Sequence, residues 1–409
     1  MSETPYTIRF AQRMDQLPDY MFGKINALRQ ERRREGMDLI DMSMGNPIDP
    51  TPQPIVDKLI EVVQDPRNHR YSVASGIYNL RNEMAKYYQA QYDVKLKPAE
   101  EIIFTIGSKE GFSHLCLALI DKGDTAFIPA PSYPIHTYSV LLAGGNTIRL
   151  PVEDDEAFLR GIDENCRTHQ PKPKVVFLNY PHNPTGKTAT LEFFNEVVKL
   201  ARRHNLIVVH DFAYARIEYD GFKSPSFLQA KGAMDVGVEF GTMSKAYNMA
   251  GWRIGYALGN REIIQALNRI KGYYDYGIFQ AIQIASIIAI RDCQNQVEEQ
   301  VDLYAKRRDV IYQGLLSAGW EVTAPLGGMS FWVKIPPPWI GEGSFQFTMR
   351  LIEEAGLVVS PGIMFGAEGE GYLRLALVEN EKRLKQGMRS LKAAFSVVGS
   401  EAKPKKATG

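Results

Sequence analysis

The residue of this chain best suited to covalent chemistry is a lysine that directly follows an apolar run. Lys245 comes after the strand-like residues 236–240, and burial at such a position lowers the pKa of an amine. A deprotonated amine can form a Schiff base with a carbonyl group. The hydroxyls of Thr242 and Ser244 and the guanidinium of Arg253 stand close by in the sequence, and such groups bind phosphate. This stretch therefore predicts a site for pyridoxal phosphate, which carries both a carbonyl and a phosphate.

Two more polar residues occupy equivalent places in a repeating pattern. From residue 101 to residue 258, strand-like runs alternate with helix-like ones, which predicts a mainly parallel sheet with helices on both faces. In such sheets ligands bind at the carboxyl ends of the strands. Asn183, Asp211 and Lys245 each follow a strand end. Because the cofactor needs an acid to keep its pyridine nitrogen protonated, Asp211 is the candidate for that role, with a turn residue as the alternative interpretation.

The remaining contacts of the cofactor have candidates of lower specificity. The Tyr214 hydroxyl and the Asn183 amide could donate to the ring hydroxyl, and Tyr133, in a rigid Pro-Ser-Tyr-Pro turn, could stack on the ring. Ser108 follows a strand and a glycine and opens a helix, where free N–H groups bind anions. By itself, Ser108 is better explained as a helix cap.

Composition excludes several classes of function. The 409 residues are 44% hydrophobic and 23% charged, as in globular enzymes, and the net charge of +1 gives no reason to expect a nucleic-acid partner. The three cysteines are far apart, without a histidine at metal-binding spacing, which predicts reduced thiols and no metal site. The first ten residues lack the pattern of a secretion signal, and no apolar run is long enough to cross a membrane. We therefore expect a cytoplasmic protein.

The pattern of elements changes after residue 276. We expect an N-terminal arm that joins a small domain (residues 1–45), a large cofactor-binding domain (46–285), a small α+β domain (286–400) and a disordered tail (401–409). In the small domain the sequence predicts a long helical region at 280–318 and strands at 320–323, 330–335, 357–360 and 372–376.

Four segments together resemble one family. SKAYNMAGWRIG around Lys245, NYPHNPTG around Asn183, VVHDFAY around Asp211 and the late SPGIMFG…GYLRLAL are similar to the class I/II aminotransferases of fold type I over about residues 10–395. The resemblance implies an α/β fold, with a mainly parallel seven-stranded sheet between helices and a smaller α+β domain. The segments PSYPIH and KGYYDYG are similar to the branch of glutamate–pyruvate (alanine) and LL-diaminopimelate aminotransferases.

The resemblance also implies a role for each site residue. Lys245 would form the internal aldimine and move a proton from the substrate, Asp211 would pair with the ring nitrogen, and Asn183 and Tyr214 would bind the ring hydroxyl. The other implied residues are Ser108, Lys109, Thr242, Ser244 and Arg253 at the phosphate, Tyr71 at the phosphate of a neighbouring subunit, Arg374 at the substrate α-carboxylate, and Gly45, Asn183 and Tyr20 near the substrate. Thr242 departs from the Gly or Ser usual at its position, but its hydroxyl can still meet a phosphate. The resemblance also implies a homodimer with shared sites. It implies that the enzyme passes an amino group from an L-amino acid to a 2-oxo acid by a ping-pong mechanism.

Two rival functions use the same scaffold. A carbon–sulfur lyase or decarboxylase would share the cofactor and differ in the bond that is broken, a geometry that motifs do not report. A transcription regulator would need an added helix-turn-helix segment and a basic face, for which the forty or so residues before Gly45 leave no room. Alanine and glutamate are the expected amino donors, with diaminopimelate as the alternative.

Overall fold

The computed structural model describes residues 7–18 and 21–397. Its α-helices are α1 Met21–Arg34, α2 Gln53–Val63, α3 Tyr78–Tyr92, α4 Ser108–Leu119, α5 Pro134–Leu142, α6 Asp155–Thr168, α7 Leu191–His204, α8 Ala233–Val236, α9 Arg261–Tyr274, α10 Gln280–Asp292, α11 Gln294–Ser317, α12 Ser344–Ala355 and α13 Glu381–Phe395. Its strands are β1 Ile40–Asp41, β2 Ile102–Thr105, β3 Thr125–Ala130, β4 Asn146–Pro151, β5 Val175–Asn179, β6 Ile207–Asp211, β7 Gly237–Thr242, β8 Gly255–Gly259, β9 Ser330–Lys334, β10 Leu357–Val358, β11 Ser360–Pro361 and β12 Tyr372–Ala376.

One large sheet confirms the predicted α/β class. Within the described ranges it has seven strands in the order β2-β8-β7-β6-β5-β3-β4, and only β8 runs antiparallel to its neighbours. The central strands β5 and β8 are buried along their whole length and β7 along all but its last residue, as expected for strands covered by helices on both faces. Two separate clusters of buried apolar side chains pack against this sheet.

A third apolar cluster forms around the C-terminal part of the chain. It gathers α11, α12 and α13 over the three-stranded antiparallel sheet β11-β12-β9, which confirms the expected α+β character of this part. The short strand β1 pairs in parallel with β10, so the segment that leads into the large sheet is fixed to the C-terminal part. The residue boundaries assigned to the domains stay predictions.

Two details of the predicted elements are corrected. The helical region 280–318 is interrupted at Cys293, where α10 ends and α11 begins. The strand predicted at 320–323 is wrong, because the backbone N–H of Trp320 donates to the Leu315 carbonyl at 3.0 Å and closes the end of α11. The Trp320 indole N–H donates to the Phe395 carbonyl at 2.8 Å. Both N–H groups of Trp320 therefore bond to carbonyls at helix ends, one in α11 and one in α13. This segment pairs with no strand among the described residues.

The topology brings the polar ends of three strands to one edge. Asn179 at the end of β5 is paired with Asp211 at the end of β6, and Asp211 is paired with Phe240 of β7. The loops that carry Asn183 and Lys245 leave from this same edge. In the part of the chain that the structure covers, none of the helices has both the length and the apolar character needed to span a bilayer.

Candidate active site

Asp211 is a buried carboxylate held by two donors. Its Oδ2 lies 2.9 Å from Nε2 of His136, which is completely buried, and its Oδ1 accepts the backbone N–H of Ala213 at 3.1 Å. The Asn179 side chain donates to the Asp211 carbonyl at 2.9 Å and fixes the strand end. Asp211 is thus positioned as a fixed negative charge at the carboxyl edge of the sheet.

The amine of Lys245 is close enough to this charge to be influenced by it. Burial and the positive charges of Arg374 and Arg253 together lower the pKa of Lys245 to about 8, although the negative charge of Asp211 opposes the change. Lys245 Nζ donates to the Gly45 carbonyl at 2.5 Å. The four charged groups therefore belong to one site, although they come from β6, the loop after β7, the start of β8 and β12.

A small anion-binding cradle is formed where α4 begins. Gly107 has φ +74°, and a side chain there would collide with the guanidinium of Arg253. A side-chain carbon on Gly255 would lie 2.5 Å from the backbone nitrogen of Ser108. The first-turn N–H groups of α4 and the Arg253 guanidinium thus meet in a space that two glycines keep open. Thr242 pairs with Gly255 across the sheet, which places its hydroxyl beside the same cradle.

Thr242 and Ser244 support one another within this cradle. Thr242 Oγ1 accepts the backbone N–H of Ser244 at 3.1 Å and lies 2.9 Å from the Ser244 hydroxyl.

Pyridoxal phosphate fits the arrangement: the helix start, the hydroxyls and Arg253 suit its phosphate, the amine of Lys245 suits its aldehyde, and the carboxylate of Asp211 suits its ring nitrogen.

Arg374 is a buried cation that bonds to neutral groups. Its Nη1 donates to Asn183 Oδ1 at 3.0 Å, and its Nη2 donates to the Ser43 carbonyl at 2.7 Å and to Ser360 Oγ at 3.2 Å. The guanidinium carbon lies 4.8 Å from the centre of the Phe365 ring. Among residues 7–18 and 21–397, Nε has no hydrogen-bond partner and no carboxylate is within ion-pair distance. Since a charge this deeply buried is costly unless it is paired, the site is suited to an anionic ligand.

The two predicted tyrosines lie at this site. Tyr214 is buried, and desolvation raises the pKa of its phenol to about 12, so the hydroxyl keeps its proton and can donate. A side-chain carbon on Gly45 would be 3.8 Å from the Tyr214 hydroxyl, which places Gly45, Tyr214 and Lys245 together. Tyr133 is the residue before α5, and its ring packs edge-on against His136 with centroids 5.9 Å apart.

Two predicted residues have exposed side chains in this chain. Lys109 is exposed on the first turn of α4. Tyr71 is 87% exposed and packs on Tyr276 with ring centroids 4.9 Å apart. Tyr20 lies outside the described residues.

Sequence reasoning missed several residues that hold the site together. They are His136, Asn179, Ser43, Ser360 and Phe365. His136 had a usable signal, because it stands three residues after Tyr133 at the start of a helix. The partners of Arg374 had none, because their contacts span up to 331 residues of sequence.

Comparison with known proteins gives a consistent result. The family described as "Aminotransferase class I and II" matches residues 37–391. The glutamate-pyruvate aminotransferase AlaC of Escherichia coli is 47% identical over 98% of this chain and 97% of its own length. The LL-diaminopimelate aminotransferase of Halothermothrix orenii is 41% identical over 93% of this chain and 97% of its own length. The structure of a double mutant of Thermus thermophilus aspartate aminotransferase superposes with a TM-score of 0.86 at 26% identity, covering 95% of this chain and 100% of that one. The chain therefore belongs to the class I and II aminotransferases, enzymes of fold type I that depend on pyridoxal phosphate.

Proposed function

We propose that the protein transfers the amino group of an L-amino acid, alanine or glutamate, to a 2-oxo acid, pyruvate or 2-oxoglutarate. The observation that carries this proposal is the buried Arg374 guanidinium, which has neutral hydrogen-bond partners and an unpartnered Nε among the described residues. A planar guanidinium of this kind suits the bidentate binding of a carboxylate. Amino acids and 2-oxo acids share one feature, a carboxylate next to the reacting carbon. Similarity to AlaC, a glutamate-pyruvate aminotransferase, supports the choice of alanine and glutamate.

Each polar side chain then has a stated task. Bound pyridoxal phosphate supplies the electron sink that stabilises negative charge on the substrate α-carbon. Lys245 would hold the cofactor aldehyde until the substrate amine displaces it, and the released Nζ would then carry the proton that leaves the α-carbon. Asp211, fixed by His136, keeps a proton on the ring nitrogen. Asn183 gives its oxygen to Arg374, which leaves its amide N–H groups for the ring hydroxyl, beside the hydroxyl of Tyr214.

One carboxylate site serves both halves of the reaction. The amino acid binds through Arg374, leaves its nitrogen on the enzyme and departs as a 2-oxo acid. A second 2-oxo acid then binds through the same guanidinium and collects the nitrogen. Because both substrates use one site in turn, the kinetics are ping-pong.

The exposed aromatic surface around Tyr71 supports a homodimer. Large exposed side chains cluster at Tyr71, Tyr273, Tyr274, Tyr276 and Phe279, and exposed apolar patches of this kind mark interaction surfaces. In the proposed dimer, Tyr71 of one protomer reaches the phosphate cradle of its partner.

The proposal is tested by adding L-amino acids one at a time to the protein loaded with its cofactor. Alanine and glutamate should change the absorbance of the bound cofactor, and pyruvate or 2-oxoglutarate should restore it. If only diaminopimelate acts, the substrate assignment is wrong and that of the LL-diaminopimelate relatives applies. Release of ammonia and a thiol from cystathionine, without a restorable change in absorbance, would contradict transamination.

The pKa of Lys245 predicts how cofactor capture depends on pH. Because burial and the nearby arginines lower the pKa to about 8, the amine is mostly charged below pH 8 and mostly neutral above it. The rate at which cofactor-free protein captures pyridoxal phosphate should therefore rise through pH 8 and then level off. Arg374→Met removes one positive charge and should move this rise to higher pH. Stopped-flow absorbance gives both profiles, and a rise centred near the ordinary lysine pKa of about 10.4 would contradict the prediction.

Arg374→Lys tests the carboxylate site. Lysine keeps the charge but cannot reproduce a bidentate guanidinium, so the KM for both the amino acid and the 2-oxo acid should rise by about 10². Cofactor affinity should be unchanged, because Arg374 bonds to Asn183, Ser43 and Ser360 rather than to the phosphate cradle. Steady-state kinetics with each substrate varied separately decide the matter. An unchanged KM for either one would remove Arg374 from the site.

A further inference from the structure

An ion pair outside the site connects the edge strand of the large sheet to the loop that precedes β12, the strand of Arg374. Arg149 lies on β4, the edge strand, and Glu368 lies in the loop between β11 and β12. Arg149 Nε lies 2.8 and 2.9 Å from the two Glu368 oxygens, and its Nη2 lies 2.7 Å from Glu368 Oε2. Both side chains are partly exposed, 26% and 40%. This multidentate geometry holds the planar guanidinium in one orientation.

The same guanidinium reaches the backbone of Phe365. Arg149 Nη2 donates to the Phe365 carbonyl at 3.3 Å, and the backbone N–H of Ser132 donates to that carbonyl at 2.8 Å. Gly366 has φ +112°, and a side chain at this position would collide with the Arg149 guanidinium. The Phe365 carbonyl is thus anchored twice to the large sheet, by β4 and by the loop after β3.

Phe365 transmits this anchoring to the carboxylate site. Its ring faces the Arg374 guanidinium at 4.8 Å and meets Trp332 edge-on at 5.6 Å. Ser360, at the other end of the same loop, bonds to Arg374 Nη2. The loop therefore contacts Arg374 on one side and the sheet that carries Lys245 and Asp211 on the other.

We propose that Arg149 and Glu368 form a clasp that positions Phe365, and through it the Arg374 guanidinium, for the substrate carboxylate. This inference rests on the proposed function of Arg374. Arg149 and Glu368 are positioning residues, since neither touches Arg374 directly. Loss of the clasp removes one of the two anchors of the Phe365 carbonyl and leaves the N–H of Ser132 as the other, so Phe365 is held less firmly. Arg374 then binds the substrate carboxylate less tightly, while the proton transfer at Lys245 is unaffected once the substrate has bound.

The test uses Arg149→Met, which removes the charge and keeps most of the apolar stem. The KM for both the amino acid and the 2-oxo acid should rise about threefold to tenfold, as expected for a partly exposed ion pair with an added hydrogen bond. The kcat should stay within about twofold, because chemistry at the bound substrate is unchanged. L-lactate, which has the α-carboxylate but no nitrogen to transfer, should bind to the cofactor-loaded variant more weakly by the same factor in calorimetry.

Two further variants separate positioning from stability. Glu368→Gln keeps the shape but loses the ion pair, and it should shift KM and lactate affinity in the same direction by a smaller factor. Arg350→Met is the matched control, because Arg350 on α12 forms similarly exposed pairs with Glu354 of the same helix and with Glu342, which precedes it. This control should leave KM and lactate affinity unchanged.

The outcomes are distinguishable. If wild-type protein transaminates, and Arg149→Met has a lower melting temperature but wild-type KM and lactate affinity, the clasp proposal is wrong and the proposed function stands. If wild-type protein transaminates no amino acid, the proposed function itself is wrong. The calorimetric comparison with lactate then still decides whether Arg149 positions a carboxylate site.

Discussion

Replacing Lys245 with alanine is expected to abolish transamination, with a loss of at least about 10⁴ in kcat, the upper end of what a positioned general base contributes. The variant loses both the amine that holds the cofactor aldehyde and the group that moves the substrate proton. The fold should be retained, because among the described residues the Lys245 amine has one hydrogen bond, to the Gly45 carbonyl. Turnover is measured with cofactor added in excess and compared with wild-type protein.

The control for this prediction is Lys199→Ala. Lys199 is an exposed lysine on α7 that pairs with Glu196. This variant should retain wild-type turnover and melting temperature. Retained activity in Lys245→Ala itself would contradict the assignment of the amine, whatever the cofactor content of the protein.

Asp211→Asn is expected to lower kcat by a factor on the order of 10³, comparable with removing one preorganised electrostatic partner from an active site. Asparagine has the same shape: its single oxygen can still accept the Ala213 N–H, and its amide nitrogen can donate to His136 Nε2 in the other tautomer, so the site keeps its geometry. The negative charge that keeps the ring nitrogen protonated is lost. The cofactor should still bind, because its phosphate cradle and Lys245 are intact.

The readouts for Asp211→Asn are single-turnover kinetics with alanine and the affinity for pyridoxal phosphate. The matched control is Asp235→Asn, which neutralises an exposed carboxylate paired with Arg202 and should leave kcat unchanged. A kcat of Asp211→Asn within tenfold of the wild-type value would show that the ring nitrogen does not depend on this carboxylate.

The positions of the chemical residues on the large sheet followed from local patterns. Asn183, Asp211 and Lys245 could be assigned to one edge because parallel strands place their carboxyl ends together, and the pairing of Asn179 with Asp211 agrees with this. The fold of the large sheet could be predicted from the sequence because its buried strands alternate with amphipathic helices.

Residues that depend on long-range contacts could not be predicted in the same way. Arg374 lies on β12, in a different apolar core from Lys245, and only the resemblance to a family assigned it to the site. His136 reaches Asp211 across 75 residues, and no periodicity records such a pair. Trp320 looked like part of a strand because it is apolar, but its backbone donor is used by the end of α11, a choice that tertiary packing makes.

The central claim is that Lys245 is the amine that captures the cofactor, and chemical trapping tests it most directly. Wild-type protein loaded with pyridoxal phosphate is reduced with borohydride, digested and sequenced by mass spectrometry. We predict that the phosphopyridoxyl group is found on Lys245 in the peptide around residues 242–253, and that Lys245→Ala carries no label at any lysine. A label on another lysine of the wild-type protein, or no covalent label in protein that still transaminates, would contradict the account.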